Sequence, residues 1–214
     1  MKKQLPLLRS CIRCCMLLLI IASSLQANAK KTPTHFGTVQ SFLGSYTGEI
    51  AIDLDGPNDD MLSITLFEEK VKEKGGWQKT KQSIELNMAT VRLITIDSIS
   101  YKIASIEYAA DKRYAYCCLQ LKEGGQKLGL YQWGTQNDPE KWVVHYTILS
   151  SFTMLSSPTL AGNKISMYAL FAKCPEIKER LRSTKNGFIT NEMSTAERLA
   201  TFRQLIQESA ECLQ

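Results

Sequence analysis

The segment from 114 to 133, YAYCCLQLKEGGQKLGLYQW, constrains the fold of this chain more than any other. Two β-prone runs are separated by Gly124-Gly125, and a Gly-Gly pair supplies the positive φ that a tight hairpin turn needs. A two-residue turn there would place four leucines on one core face: Leu119, Leu121, Leu128 and Leu130. An isolated hairpin this apolar is not stable in water, so the segment predicts a larger sheet around it.

Alternation of apolar and polar residues extends the β pattern on both sides of the hairpin. Further strands are predicted at 45–54, 61–70, 84–96 (one or two strands, with a break near Ala89-Thr90), 101–108 and 141–149. After Pro158 the pattern becomes helical: Pro175 suits a first helical position, and Ser194 to Glu197 form a capping box. We therefore predict an α+β fold, with an antiparallel sheet of about seven to nine strands, open or curled towards a barrel, and two or three C-terminal helices.

The N-terminus has the pattern of a secretory signal peptide. Four basic residues precede an apolar run at 16–25 and an A-x-A site at 27–29; the basic residues are Lys2, Lys3, Arg9 and Arg13. The run is shorter than the roughly 20 residues of a membrane span, although an uncleaved N-terminal anchor is the alternative. We predict a signal peptide at 1–29 and one domain at 36–214, mainly β over 36–160 with a helical tail over 161–214, in the periplasm, the cell envelope or the exterior.

Removal of that segment changes the charge of the chain. The full chain has a net charge of +5, and because the first 29 residues hold four basic and no acidic residues, the mature chain carries about +1. The sequence has no basic stripe with interleaved aromatic residues, the pattern typical of proteins that bind single-stranded nucleic acid. We therefore predict no nucleic acid as a partner. The mature sequence contains no second apolar run of membrane length.

Four cysteines remain in the mature chain: Cys117, Cys118, Cys174 and Cys212. An exported chain permits disulfides, and adjacent strand cysteines point to opposite faces, which disfavours a bond between Cys117 and Cys118. Pairing of Cys174 with Cys212 is the preferred disulfide. The alternative is four buried thiols that behave as small apolar residues, since a mature chain of this length can build a core without a cross-link.

Three short segments occur in an order that resembles a group of uncharacterised exported envelope proteins of Gram-negative, Bacteroidota-type bacteria. They are Tyr46-Thr47-Gly48-Glu49-Ile50, Lys127-Leu128-Gly129-Leu130-Tyr131 and Cys174-Pro175-Glu176-Ile177. The resemblance implies a sheet with helices and a helix at 165–173, and it implies no activity. The turn 55–60 is longer and more acidic in this chain than in that group.

Aromatic residues provide the first binding hypothesis. They fall on the hairpin face opposite the leucines and on one face of the following strand: Tyr116, Tyr131, Trp133, Trp142 and Tyr146. If exposed, they would bind a protein, a glycan or a small ligand; alternatively, the helical tail covers them. A third possibility is a carrier of a small apolar ligand, should the sheet close around a cavity.

Catalysis and metal binding have weaker support. The chain contains no G-x-S-x-G, P-loop, H-E-x-x-H or C-x-x-C motif, and we predict no cofactor and no metal. The acidic turn at 53–60 could hold Ca²⁺, but it lacks the EF-hand spacing and fits a solvated turn better. A thiol enzyme using Cys117 or Cys118 with His145 is the alternative to a non-catalytic binding module, and a lone histidine more often has no catalytic role.

Overall fold

The computed structural model of the chain describes residues 32–69, 77–107, 114–148, 151–185 and 187–213. The predicted signal peptide lies outside this part of the chain. The strands are β1 Thr34–Ser41, β2 Gly44–Ala51, β3 Met61–Glu69, β4 Trp77–Asn87, β5 Val91–Ile96, β6 Ile99–Glu107, β7 Tyr114–Gly124, β8 Leu128–Trp133, β9 Trp142–Tyr146 and β10 Ser151–Met154. The α-helices are α1 Lys164–Leu170, α2 Pro175–Ser183 and α3 Thr195–Ser209.

The described strands form one antiparallel sheet in the order β10-β9-β8-β7-β6-β5-β1-β2-β3-β4. The α+β prediction is confirmed, with ten strands in the described residues, but the barrel-like alternative is not supported, because the sheet is open with β10 and β4 at its ends. Residues 33–214 form one compact unit.

The sheet bends over two of its own cores. Strand β4 is at one edge of the sheet and β5 is in its middle, yet the three-residue turn Met88–Thr90 connects them. The sheet must therefore curve so that β4 comes close to β5, and one cluster of buried side chains lies inside this bend. At the other end β10 lies against β6 over a second cluster, which includes Leu119, Tyr131 and Val143. Side chains fill both bends, which argues against a ligand-carrying interior.

The helices cover one face of β8 and β9. Leu130 and Val144, on the opposite face of β8 and β9 from Tyr131 and Val143, pack beneath the helical tail together with Phe202. Residues Thr195–Ser209 form a helix because Ser194 and Glu197 complete the predicted capping box. The C-terminal helices are therefore held against β8 and β9 by the third core cluster.

The register of the central hairpin differs from the predicted one. A two-residue turn at Gly124-Gly125 would pair Leu119 with Leu130, but Leu119 pairs with Trp133, an offset of three residues. Gly124 has a φ of +83° and ends β7, Gly125 N–H closes the turn onto Leu128 O, and a bulge follows Leu121. An odd offset moves side chains to the other face, so the predicted single leucine face is wrong.

Candidate functional site: the exposed side of helix α1

The predicted aromatic face is wrong, because the structure divides these residues between different cores. Trp142 and Tyr146 lie under the helices, where the Tyr146 ring is 5.9 Å from that of Phe202. Tyr131 and Trp133 lie on the other side of the sheet. The Tyr131 ring makes an edge-to-face contact with Phe152 there. Each of these four predicted binding residues is at least 94% buried: Tyr131, Trp133, Trp142 and Tyr146.

Tyr116, the fifth of those residues, faces a third environment. Its side chain is half-buried against the cluster inside the N-terminal bend, and its backbone pairs with Asn58. The five aromatic residues therefore form cores and do not form one binding surface. The helical tail, which the sequence analysis gave as the alternative cover, shields Trp142 and Tyr146, whereas strand β10 shields Tyr131.

The proposed thiol–histidine pair is not assembled. Cys117 is fully buried, its thiol donates to the carbonyl of Ala115 at 3.7 Å, and burial raises its pKa to about 12. Burial likewise raises the pKa of Cys118, which lies on the opposite face of β7. A reactive cysteine requires a lowered pKa and access to solvent, and neither thiol has them.

His145 has surroundings of its own. Its ring stacks on Phe152 with centroids 4.3 Å apart and meets the edge of Tyr131. Burial, followed by the charge of Lys102, lowers the pKa of the imidazole, which is therefore neutral near pH 7. This environment indicates a core histidine.

The acidic turn uses its carboxylates for internal hydrogen bonds. Asp53 accepts the backbone N–H groups of Asp55 and Gly56, and Asp55 accepts the backbone N–H and the hydroxyl of Thr135 at 2.6 and 2.9 Å. Lys141 donates to the carbonyl of Asp55. Within the described residues no group of carboxylate, thiol or imidazole side chains is arranged to hold a metal ion. The turn thus docks β2–β3 onto the loop after β8.

A disulfide joins the start of α2 to the end of the tail. Cys174, directly before α2, is bonded to Cys212, with their Cα atoms 5.4 Å apart. Cys117 and Cys118 are free thiols. The bond fixes the connection between α1 and α2 to the segment that follows α3.

Helix α1 carries the most exposed of the large apolar side chains in the described residues, Ile165. On its inner side Met167 and Leu170 are buried in the helix-covered core. On its outer side Ile165 is 87% exposed, Ala169 is exposed and Tyr168 is half-buried. Contiguous exposed apolar surface with polar residues at its rim often marks an interaction site. The outer side of α1 therefore has the character of a binding surface.

A groove runs between this outer side and α2. It has a volume of about 540 Å³ and is lined by Lys164, Ile165, Tyr168, Ala169, Ala172 and Lys178. We call the apolar members of this set, Ile165, Tyr168, Ala169 and Ala172, the α1 stripe. Their spacing of three and four residues places them on one side of a helix.

Basic residues hold the central tyrosine of the stripe. Arg182 Nε donates to the Tyr168 hydroxyl at 2.6 Å, and Lys178 Nζ lies 5.3 Å from the ring centroid. Arg182 is positioned by Glu179, at 2.9 Å. Because Tyr168 is held by partners on α2, the groove is preformed.

Comparison of the chain with protein-family models, with curated protein sequences and with solved structures found no match. In the described residues no helix is long and apolar enough to cross a membrane.

The sequence analysis did not identify this site. For residues 165–173, ISMYALFAK, the expectation of a helix comes from the resemblance, and the structure has one at Lys164–Leu170. A signal was present in the sequence, since Met167 and Leu170 fall on one side of a helix over this segment and Ile165, Tyr168 and Ala169 fall on another, more apolar surface than one core contact covers. The side left uncovered could be found only from the packing.

Proposed function

We propose that the mature chain is a non-catalytic module of the Gram-negative cell envelope that binds a partner protein through the α1 stripe. The observation that carries this proposal is Ile165, a large apolar side chain that is 87% exposed within a preformed groove. Water contact with such a side chain is unfavourable, and its burial by a partner releases about 25 cal/mol for each Å².

The envelope location has separate support. It is favoured by the signal-type N-terminus, by the resemblance to exported envelope proteins and by the disulfide, which persists in an oxidising compartment. Periplasmic extraction followed by N-terminal sequencing tests it. A mature protein that begins at Lys30 is expected, whereas an intact N-terminus in the cytoplasmic fraction would contradict it.

Crosslinking tests the binding surface. A photoreactive amino acid at Ala169, introduced in the bacterium that encodes the protein, is expected to give one discrete adduct. Ile165→Asp should abolish this adduct, and the matched change Ile148→Asp, at another exposed isoleucine, should leave it intact. Both substitutions are at exposed positions and should change the free energy of unfolding by about 0.5 kcal/mol or less.

The captured protein is then purified and titrated against the wild-type chain and both variants. At least tenfold weaker binding by Ile165→Asp alone would support the proposal. Equal affinity of all three chains, or adduct formation that does not depend on Ile165, would refute it.

A further inference from the structure

Resting on the proposed function, we infer that the partner presents an acidic amphipathic segment, in which one or two apolar side chains seat on the α1 stripe and neighbouring carboxylates meet the lysines of the groove. The inference specifies the chemistry of the partner, which exposure of Ile165 alone does not.

The charge around the groove is positive, which favours an acidic partner. The lining residues include two lysines, Lys164 and Lys178, and no acidic residue. The segment 164–185 holds six basic and two acidic residues, a net charge of +4, although the mature chain carries about +1. The rest of the mature chain is therefore net negative, and the groove itself is bordered by positive charge at Lys164 and Lys178.

The basic side chains at the groove differ in the contacts that they already make. Arg182 is paired with Glu179, and the Lys164 ammonium donates to the carbonyl of Thr184. Lys178, in contrast, contacts the face of Tyr168, and no carboxylate pairs with it among the residues that the structure describes. A carboxylate of the partner can approach Lys178 without displacing an existing ion pair.

The shape of the surface favours a peptide over a bilayer. The groove is shallow and open, with Tyr168 along it, so an apolar side chain of a peptide can lie against the α1 stripe beside Lys178 of α2. A flat bilayer would touch the protruding Ile165 and leave the groove unfilled. Glu179, whose side chain is 72% exposed beside the groove, would repel a uniformly anionic lipid surface, whereas a peptide can place its few carboxylates away from it.

Three labelled synthetic helical peptides of equal leucine content, with glutamate, glutamine or lysine on the polar face, provide the test. Fluorescence anisotropy with the oxidised mature protein should show the glutamate peptide binding about tenfold more tightly than the lysine peptide. Raising the ionic strength from about 0.05 M to about 0.3 M should weaken the glutamate peptide severalfold, because exposed charge pairs are screened.

A charge reversal provides the residue-level control. Lys178→Glu should weaken the glutamate peptide about fivefold or more, and Lys122→Glu, with the same change in net charge on the β7 strand, should alter its affinity less than twofold. Circular dichroism and thermal melting of each variant establish that it is folded. The lysine peptide should respond to Lys178→Glu in the opposite direction.

Other outcomes separate this inference from the proposed function. If all three peptides bind equally and Ile165→Asp weakens each of them, the apolar surface stands and the acidic partner is refuted. Absence of measurable binding by the glutamate peptide, or binding of the protein to vesicles containing anionic phosphatidylglycerol in place of it, also overturns the inference. If the glutamate peptide binds with no effect of Ile165→Asp, the α1 stripe is not the site and the proposed function fails as well.

Discussion

Arg198 is the residue whose replacement should cost this fold the most stability for a single polar side chain. It lies in α3, is only 4% exposed, and donates to three backbone carbonyls: Leu155 at 2.7 Å, Ser157 at 2.8 Å and Thr190 at 3.1 Å. Leu155 and Ser157 follow β10, and Thr190 lies in the segment before α3. The guanidinium thus ties the last helix both to the end of the sheet and to the loop that precedes it.

Arg198→Leu should lower the free energy of unfolding by about 3–5 kcal/mol. A hydrogen bond from a charged group contributes about 1.5–3 kcal/mol, and each buried carbonyl left without a donor costs about 1–3 kcal/mol. Part of this loss is offset because the guanidinium no longer has to be desolvated. Since domains are stable by about 5–15 kcal/mol, the variant should be marginal.

Urea unfolding followed by tryptophan fluorescence measures the effect, since Trp133 and Trp142 are both buried and report on the folded core. Arg203→Leu is the control on the same helix: its ion pair with Glu123 is exposed, and its loss should cost less than about 1 kcal/mol. If Arg198→Leu costs no more than Arg203→Leu, the carbonyl contacts do not stabilise the tail and the reasoning is refuted.

Three further predictions concern the disulfide, the acidic turn and the free thiols. Replacing Cys174 and Cys212 with serine should lower the free energy of unfolding by about 4 kcal/mol in urea titrations, because the bond closes a loop of 38 residues; an unchanged midpoint would contradict this. Burial alone would raise the pKa of Asp55, but hydrogen bonds from Thr135 and Gln136 and the charge of Lys141 outweigh it and lower the pKa. The stabilising contribution of the Asp55 carboxylate is therefore complete above about pH 4 and is lost as the pH falls through its lowered pKa. Unfolding titrations between about pH 5 and pH 2 should show a smaller loss of stability for Asp55→Asn than for the wild type. Cys117, with a pKa of about 12, should not react with a thiol-specific disulfide reagent at pH 8 in the folded protein and should react once urea unfolds it; fast native reaction would revive the thiol-enzyme hypothesis.

The elements best predicted from the sequence are those with local signals. Pro175 and the capping box at Ser194 predicted the starts of α2 and α3, because a cap joins residues only three or four positions apart. The predicted break near Ala89-Thr90 is the turn Met88–Thr90 between β4 and β5. Strands with clear alternation, such as β3 and β9, were also predicted.

Two strands were missed because neighbours define them. No strand is predicted from the residues of β1, Thr34–Ser41, yet β1 pairs with both β2 and β5 in the middle of the sheet. At Gly37 a side chain would collide with the carbonyl of Thr95, so glycine is needed for the close approach of β5. The four residues of β10 are too few for a period to be recognised.

The sequence by itself determined the class of the fold and most strand and helix positions, because alternation and caps act over a few residues. It left the pairing of Cys174 with Cys212 open beside four free thiols, because these two residues are 38 positions apart. Only the tertiary structure decided which surface is covered. Alternation with a period of two residues assigns side chains to the two faces of a strand, but a one-residue bulge after Leu121 exchanges those faces. No local pattern shows whether a helix, a strand or water lies against each face. The burial of Trp142 and the exposure of Ile165 both follow from where the tail packs, and that depends on contacts between residues far apart in the chain.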